Sequence, residues 1–237
     1  MANPLLDMPS NWQHITLEPD KQAGYITSVD SGGTPSTTNE EYWDGEIPWI
    51  TPKDITGLTD TVYVAKTERN ITKIGLKDSG AKLLDAGCVL LTKRAPVGLV
   101  VVNSVPMSTN QGFLNFRCGP KLDPLYLAYW LKVNRKYLEM VANGSTYPEL
   151  YKSDLFEFQI AVPPFEEQKQ ILNIIKAIQH IKLISIFTKK SLLLSNHDLT
   201  NEKEENDLNE IELIIIKELM SGKINVAKAK ERLKKHG

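Results

Sequence analysis

Apolar positions along the 237-residue chain follow two patterns that meet at Pro163-Pro164. Before that point they come in short runs between turn residues. Ile47-Pro48-Trp49-Ile50, Val89-Leu90-Leu91-Thr92 and Gly98-Leu99-Val100-Val101-Val102 are apolar or β-branched, and Gly112-Phe113-Leu114-Asn115-Phe116 alternates at period two, so all four predict strands. Ser31-Gly32-Gly33-Thr34-Pro35-Ser36 and Thr51-Pro52-Lys53-Asp54 carry turn chemistry. One helix is predicted in this part. Asp123-Pro124 supplies its cap and first turn, Leu125, Leu127, Ala128, Leu131 and Leu138 form a face to about Val141, and Asn143-Gly144 closes it.

Beyond the two prolines, Gly and Pro almost vanish. Pro164 with Glu166 and Glu167 suits a helix start, where the dipole favours acidic side chains. Ile171, Ile174, Ile178 and Ile181 then recur at alternating three- and four-residue steps, the seam of a coiled coil. Ser185 and Thr188 interrupt the seam and Leu192 resumes it, to about Ser195. Asn196-His197-Asp198-Leu199-Thr200 breaks the pattern, and a second helix from about Asn201 carries Leu208, Ile211, Ile214, Ile215 and Leu219 before Ser221-Gly222 ends it. The chain thus reads as α+β, with a mixed, strand-rich domain over residues 1–163, a helical arm over 164–222 and a basic tail over 223–237. A first helix of roughly 45 Å with an apolar seam needs a partner. Either the second helix folds back on it or a second chain does, with Ile171, Ile174, Ile178, Ile181 and Leu192 as the dimer interface.

Composition narrows the classes. The chain is 41% hydrophobic and 24% charged, as an ordinary globular protein is. No run approaches the roughly 20 apolar residues of a membrane helix, and Met1-Ala2-Asn3-Pro4 has neither the basic nor the apolar region of a secretory signal, so a cytoplasmic protein with no membrane partner is expected. Two cysteines, Cys88 and Cys118, make no disulfide framework and no CxxC zinc site. Catalytic signatures are missing too: there is no phosphate loop, no HExxH and no GxSxG. Val162-Pro163-Pro164-Phe165 resembles the Asp/Asn-Pro-Pro-Tyr/Phe loop of amino methyltransferases, but a valine cannot accept hydrogens from the target amine, so it reads as a strand end and helix start. Glu167-Gln168-Lys169 imitates half of a nuclease metal site, yet Glu167 falls in a first helical turn. The four histidines are scattered. The expectation is a protein that is not an enzyme and takes no cofactor or metal.

Recognition chemistry is present instead. Hydroxyls at Thr34, Ser36, Thr37 and Thr38, then Thr51 with Lys53, Lys93 with Arg94, Asn110 with Gln111, Ser145-Thr146-Tyr147 and Lys152 occupy loops or element ends. Hydroxyls and Lys/Arg suit phosphate oxygens, while Arg, Asn and Gln can read base edges bidentately. Each loop alone is ordinary turn chemistry. Residues 1–163 carry 15 basic and 18 acidic side chains, so any DNA-binding surface is a local cleft, with phosphate-binding charge supplied in part by a partner.

Five segments in order carry a resemblance: Ser31-Gly-Gly-Thr-Pro-Ser36 with Tyr42-Trp-Asp-Gly-Glu-Ile-Pro-Trp-Ile-Thr-Pro-Lys-Asp54; Val89-Leu-Leu-Thr-Lys-Arg94; Ser108-Thr-Asn-Gln-Gly112; Asn143-Gly-Ser-Thr-Tyr147 leading to Asp154 through Ile171; and Leu219-Met-Ser-Gly-Lys-Ile-Asn-Val226. Together they resemble a specificity subunit of a type I restriction-modification system, in a half-length form with one target recognition domain. The resemblance implies a non-catalytic subunit that directs methyltransferase subunits, and through them a restriction subunit, to a bipartite target in double-stranded DNA. It implies a homodimer in which the helical arm is both ruler and interface. The alternatives are a specificity partner of a fused restriction-methylation enzyme, a coiled-coil protein-interaction module that never binds DNA, and an enzyme with an unrecognised site. Salt-dependent duplex binding separates the first of these from the interaction module.

Overall fold

A computed structural model of the chain describes residues 9–58, 61–142, 148–156, 158–193 and 202–223. The chain divides into two compact units, His14–Ile160 and a second made of Met1–Gln13 with Ala161–Gly237. In chain order the strands and helices up to the junction are β1 (Gln13–Thr16), β2 (Ile26–Ser31), β3 (Trp43–Ile50), α1 (Pro52–Ile55), β4 (Tyr63–Val64), β5 (Arg69–Ile71), α2 (Lys73–Lys77), β6 (Val89–Thr92), β7 (Val100–Asn103), β8 (Ser108–Thr109), β9 (Phe113–Cys118), α3 (Pro124–Val133), α4 (Arg135–Ala142), α5 (Lys152–Phe156) and β10 (Gln159–Val162). This is the α+β class the sequence predicted.

The larger sheet of the first unit has the order β2-β9-β6-β7-β4, antiparallel except for the parallel pair of β7 with β4. Every residue of β6 and β7 is buried. Strands covered on both faces read as continuous apolar runs, which is why these two were legible without alternation. On one face Leu90 and Val101 pack with Ile50, Ile55, Leu84, Met107 and Phe113. α3, with Tyr126, Leu127, Trp130 and Leu131 buried, packs against β6 and β7. A smaller sheet, β5-β3-β8, has its own core of Trp43, Trp49, Ile71 and Ala81. The two indoles meet edge to face at 5.1 Å, and the Arg69 guanidinium lies 3.5 Å over the Trp43 ring.

Two local expectations are corrected. The single helix predicted to about Val141 is two helices, because Asn134 caps α3 and its side-chain amide donates to the Trp130 carbonyl at 2.8 Å, a local bond that competes with helix continuation. The turn at Thr51 is a one-turn helix, α1, closed by the Asp54 carboxylate, which accepts from the Thr51 backbone N–H and hydroxyl at 2.7 Å each.

In the second unit, α6 (Phe165–Leu193) starts directly after Val162-Pro163-Pro164, with the buried Gln168 amide donating to the Pro163 carbonyl at 3.0 Å. α7 (Glu202–Met220) packs on it. Gln179 bonds Glu212 and Lys182 bonds Asn209, which sets the two helices antiparallel. The Lys182–Glu212 ion pair, at 2.8 Å, is largely buried between them. The seam expected to face a second chain is turned inward over its first half. Ile171 and Ile174 are buried within the single chain, as are Leu172, Ile175, Ile216, Leu219 and Met220. Ile178 is half-buried, Ile181 is exposed, and the side chain of Leu192 lies outside the described residues. Residues 9–13, placed by the sequence reading in the strand-rich domain, belong with these helices. Trp12 is buried, Asn11 donates to Glu167 at 3.0 Å, and Gly222 packs so closely that a β-carbon there would come within 2.4 Å of Pro9. Among the described residues, no helix is long and apolar enough to cross a membrane.

Candidate nucleic-acid interface

Among the described residues, the loops singled out from the sequence lie on segments linked by hydrogen bonds into a row. The loop over residues 32–36 hangs from the two tryptophans of β3. The Trp49 indole donates to the Gly33 carbonyl at 2.9 Å, and that of Trp43 to the Ser36 carbonyl at 3.0 Å. Gly33 N–H donates to Thr109 at 3.0 Å, and the Thr34 hydroxyl donates to the Gln111 side-chain carbonyl. Only glycine fits here: a β-carbon on Gly32 would lie 2.1 Å from the Thr109 carbonyl oxygen, and one on Gly33 2.3 Å from the Gly80 backbone. Asn110 N–H then donates to Ile50 at 3.0 Å, beside α1, and the Asn110 side chain accepts from Gly112 at 2.8 Å. Lys93 N–H donates to Gly112 and Leu150 N–H to Lys93, both at 2.8 Å, while Arg94 and Glu149 form an antiparallel bridge. Ser36, Thr37, Lys53, Arg94 and Gln111 are exposed along this row, and Lys93 and Asn110 are half-buried. Ser145, Thr146 and Tyr147 lie outside the described residues.

Each described candidate cation has an internal partner. Lys53 pairs with Glu68 at 2.7 Å, and that neighbour raises the Lys53 ammonium above its usual range. Lys93 and Arg94 share Glu149, at 2.8 and 3.1 Å, and the Lys93 ammonium leads in holding the Glu149 carboxyl below the ordinary range. Lys152 donates to the Val29 carbonyl at 2.6 Å and is turned toward β2 rather than free for phosphate. The row therefore offers hydroxyls, amides and one exposed guanidinium more than loose positive charge. Among the described residues, no group of three His, Cys, Asp or Glu side chains is placed to hold a metal.

Residues 20–194 match the family described as the type I restriction modification DNA specificity domain. The chain belongs to this family. The specificity subunit of the type I restriction enzyme MjaIX from Methanocaldococcus jannaschii is 41% identical over 152 residues, 63% of this chain and 35% of that protein. That of EcoR124I/EcoR124II from Escherichia coli is 30% identical over 162 residues, 65% of this chain and 39% of that one. The solved HsdS subunit of Thermoanaerobacter tengcongensis has a TM-score of 0.54 at 20% identity, covering 94% of this chain and 48% of the other, a likeness of fold. A chain from a structural study of complex assembly and conformational transition in the type I R-M system gives 0.56 with 94% and 49% covered. This chain spans under half the length of each.

Within the specificity domain, sequence reasoning missed the residues that organise the row. Glu68 and Glu149, which occupy the cations, and Arg69, which caps the tryptophan pair, carry no local signal. Trp43 and Trp49 are buried, and their indole bonds to the glycine-rich loop depend on tertiary contact.

Proposed function

We propose that this chain is a non-catalytic DNA sequence-specificity subunit that directs methyltransferase subunits, and through them a restriction subunit, to a bipartite duplex target. The observation that carries the reading is the hydrogen-bonded row, which gathers Thr34, Lys53, Arg94, Asn110 and Gln111 from distant parts of the chain onto connected segments with exposed polar groups. Amides and a guanidinium are the groups that read base edges in the major groove, and hydroxyls bond phosphate oxygens. Because the cations are paired internally, the chain alone binds duplex weakly and with a shallow salt dependence, and partner subunits supply most phosphate contacts.

The helical hairpin serves as ruler and as the interface with a second copy. At 29 residues, α6 is roughly 43 Å long, a little more than the 34–36 Å between half-sites one duplex turn apart. Ile171 and Ile174 are already buried in one chain, so the surface left for a partner is farther along the hairpin. Ile181 and Ile184 on α6 and Ile211 and Ile214 on α7 are all about half exposed there, and the Lys182–Glu212 pair brings those turns side by side. Exposed aliphatic groups clustered in this way mark an interaction surface. Two identical chains related by a two-fold axis read inverted half-sites. The test is methylome sequencing of cells holding the companion methyltransferase subunits with and without this chain. An interrupted palindrome that appears only with the chain supports the proposal. A stable complex with no new motif supports the interaction-module reading instead, and an asymmetric motif with no second specificity chain present defeats the symmetric pair.

A further inference from the structure

Lys93, Arg94 and Glu149 differ in exposure in a way that simple charge pairing does not explain. The side chains of Lys93 and Glu149 are 15% and 16% exposed, whereas that of Arg94 is 52% exposed. The backbone beneath them is held on both sides, with Lys93 bonded to Gly112 and Leu150 and Arg94 bridged to Glu149. One Glu149 oxygen takes the Lys93 ammonium at 2.8 Å and the other takes Nε of Arg94 at 3.1 Å. Nε is the innermost guanidinium nitrogen. A carboxylate held there leaves the terminal pair, Nη1 and Nη2, pointing away, and that pair matches O6 and N7 of guanine. Lys93 secures the carboxylate from the opposite side, so Glu149 is itself fixed.

We propose that Glu149, anchored by Lys93, is a positioning residue that holds Arg94 with its terminal nitrogens outward to read one guanine in the major groove. This rests on the DNA-specificity reading above. Holding the guanidinium in advance lowers the rotamer freedom lost when a base is engaged. Lys93 is then an internal strut, and of these three side chains Arg94 is the one that contacts DNA. Glu149 remains ionised at neutral pH, because its two cations keep its carboxyl below the usual range.

The test uses this chain in complex with its methyltransferase subunits, with the methylated motif mapped first for the unaltered protein. If no motif appears, the DNA-specificity reading fails before any variant is compared. Given a motif, Glu149→Gln is expected to leave the complex assembled and to relax one guanine position, lowering discrimination there about tenfold while other positions stay strict. Arg94→Lys, which keeps the charge but loses the fork, is expected to relax the same position, and Glu149→Asp to restore part of the discrimination. The proposal is overturned if Glu149→Gln lowers methylation equally at all sites, changes nothing, or relaxes a different position from Arg94→Lys. Should Glu149→Gln fail to assemble, Arg94→Lys decides, and an unchanged motif there overturns the proposal.

Discussion

Around β3, the exposed loops hang from buried groups: two indoles hold residues 32–36, Gly32 and Gly33 press against the backbone of Thr109 and Gly80, and Asp54 closes α1. In the outer half of the α6–α7 hairpin, Ile181, Ile184, Ile211 and Ile214 are exposed on helices whose shape is set by their own backbone bonds, with one interhelical ion pair beneath them. The first region makes a polar surface whose geometry depends on remote interior residues. The second makes an apolar surface that is fixed locally and left uncovered in the single chain. Recognition of bases needs side chains held to a fraction of an ångström, and that demands support from several elements. An interface with another chain needs area, which a helix pair supplies by periodicity alone.

The contrast can be broken most strongly at Trp49. Trp49→Ala removes a buried ring and the indole bond to Gly33, and is expected to cost about 3–5 kcal/mol in urea unfolding and, under the proposed function, to abolish sequence-directed methylation. A loss below about 1 kcal/mol would show that the loop stands without its tryptophan. Next comes Gly32→Ala, expected to cost about 2–3 kcal/mol because its β-carbon would meet the Thr109 carbonyl oxygen at 2.1 Å. In the hairpin, Glu212→Ala strands the ammonium of Lys182 in a largely buried site and is expected to cost about 2 kcal/mol by thermal melting. The exposed Lys53–Glu68 pair offers the counter-case, and Lys53→Ala should leave the melting temperature of the chain essentially unchanged.

Smaller in stability, though decisive for assembly, is the double substitution Ile181→Lys with Ile214→Lys. Both side chains are exposed, so the stability of one chain should change by less than about 0.5 kcal/mol. Sedimentation equilibrium should nonetheless show loss of the proposed homodimer, and a dimer that survives both substitutions would place the interface elsewhere. pH sharpens the other side of the comparison. The Glu149 carboxyl is depressed in the folded chain, chiefly by Lys93, so its contribution is present above the unfolded carboxylate pKa and is lost as pH falls through the lower folded value. The stability gap between the unaltered chain and Glu149→Gln should be constant from pH 6 to 8 and should close as the pH drops below the ordinary carboxylate range.

Much of the fold was legible because its signals are local. Val89–Thr92 shows as a strand from its apolar run, residues 112–116 from their period-two pattern, and the isoleucines of α6 show as a helix from their spacing. The break at Asn134 was invisible, since Leu131 and Leu138 keep the apolar stripe running through it. Strands β2, β4 and β5 are short or mixed and form only because neighbouring strands offer partners. At the candidate interface the residue types were legible, but their juxtaposition was not.

The amino-acid sequence by itself determined the α+β class, the change from strand-rich to helical chemistry at Pro163-Pro164 and the inventory of loop hydroxyls, amides and cations, because propensity, periodicity and turn chemistry act over a few residues. Tertiary structure alone decided that Lys152 turns to Val29, 123 positions away, that Glu149 captures Lys93 and Arg94, and that Ile171 and Ile174 face inward in one chain. Charge pairing and burial are settled by distance in space, and close packing of the chain brings together groups whose separation along the sequence carries no trace of the contact.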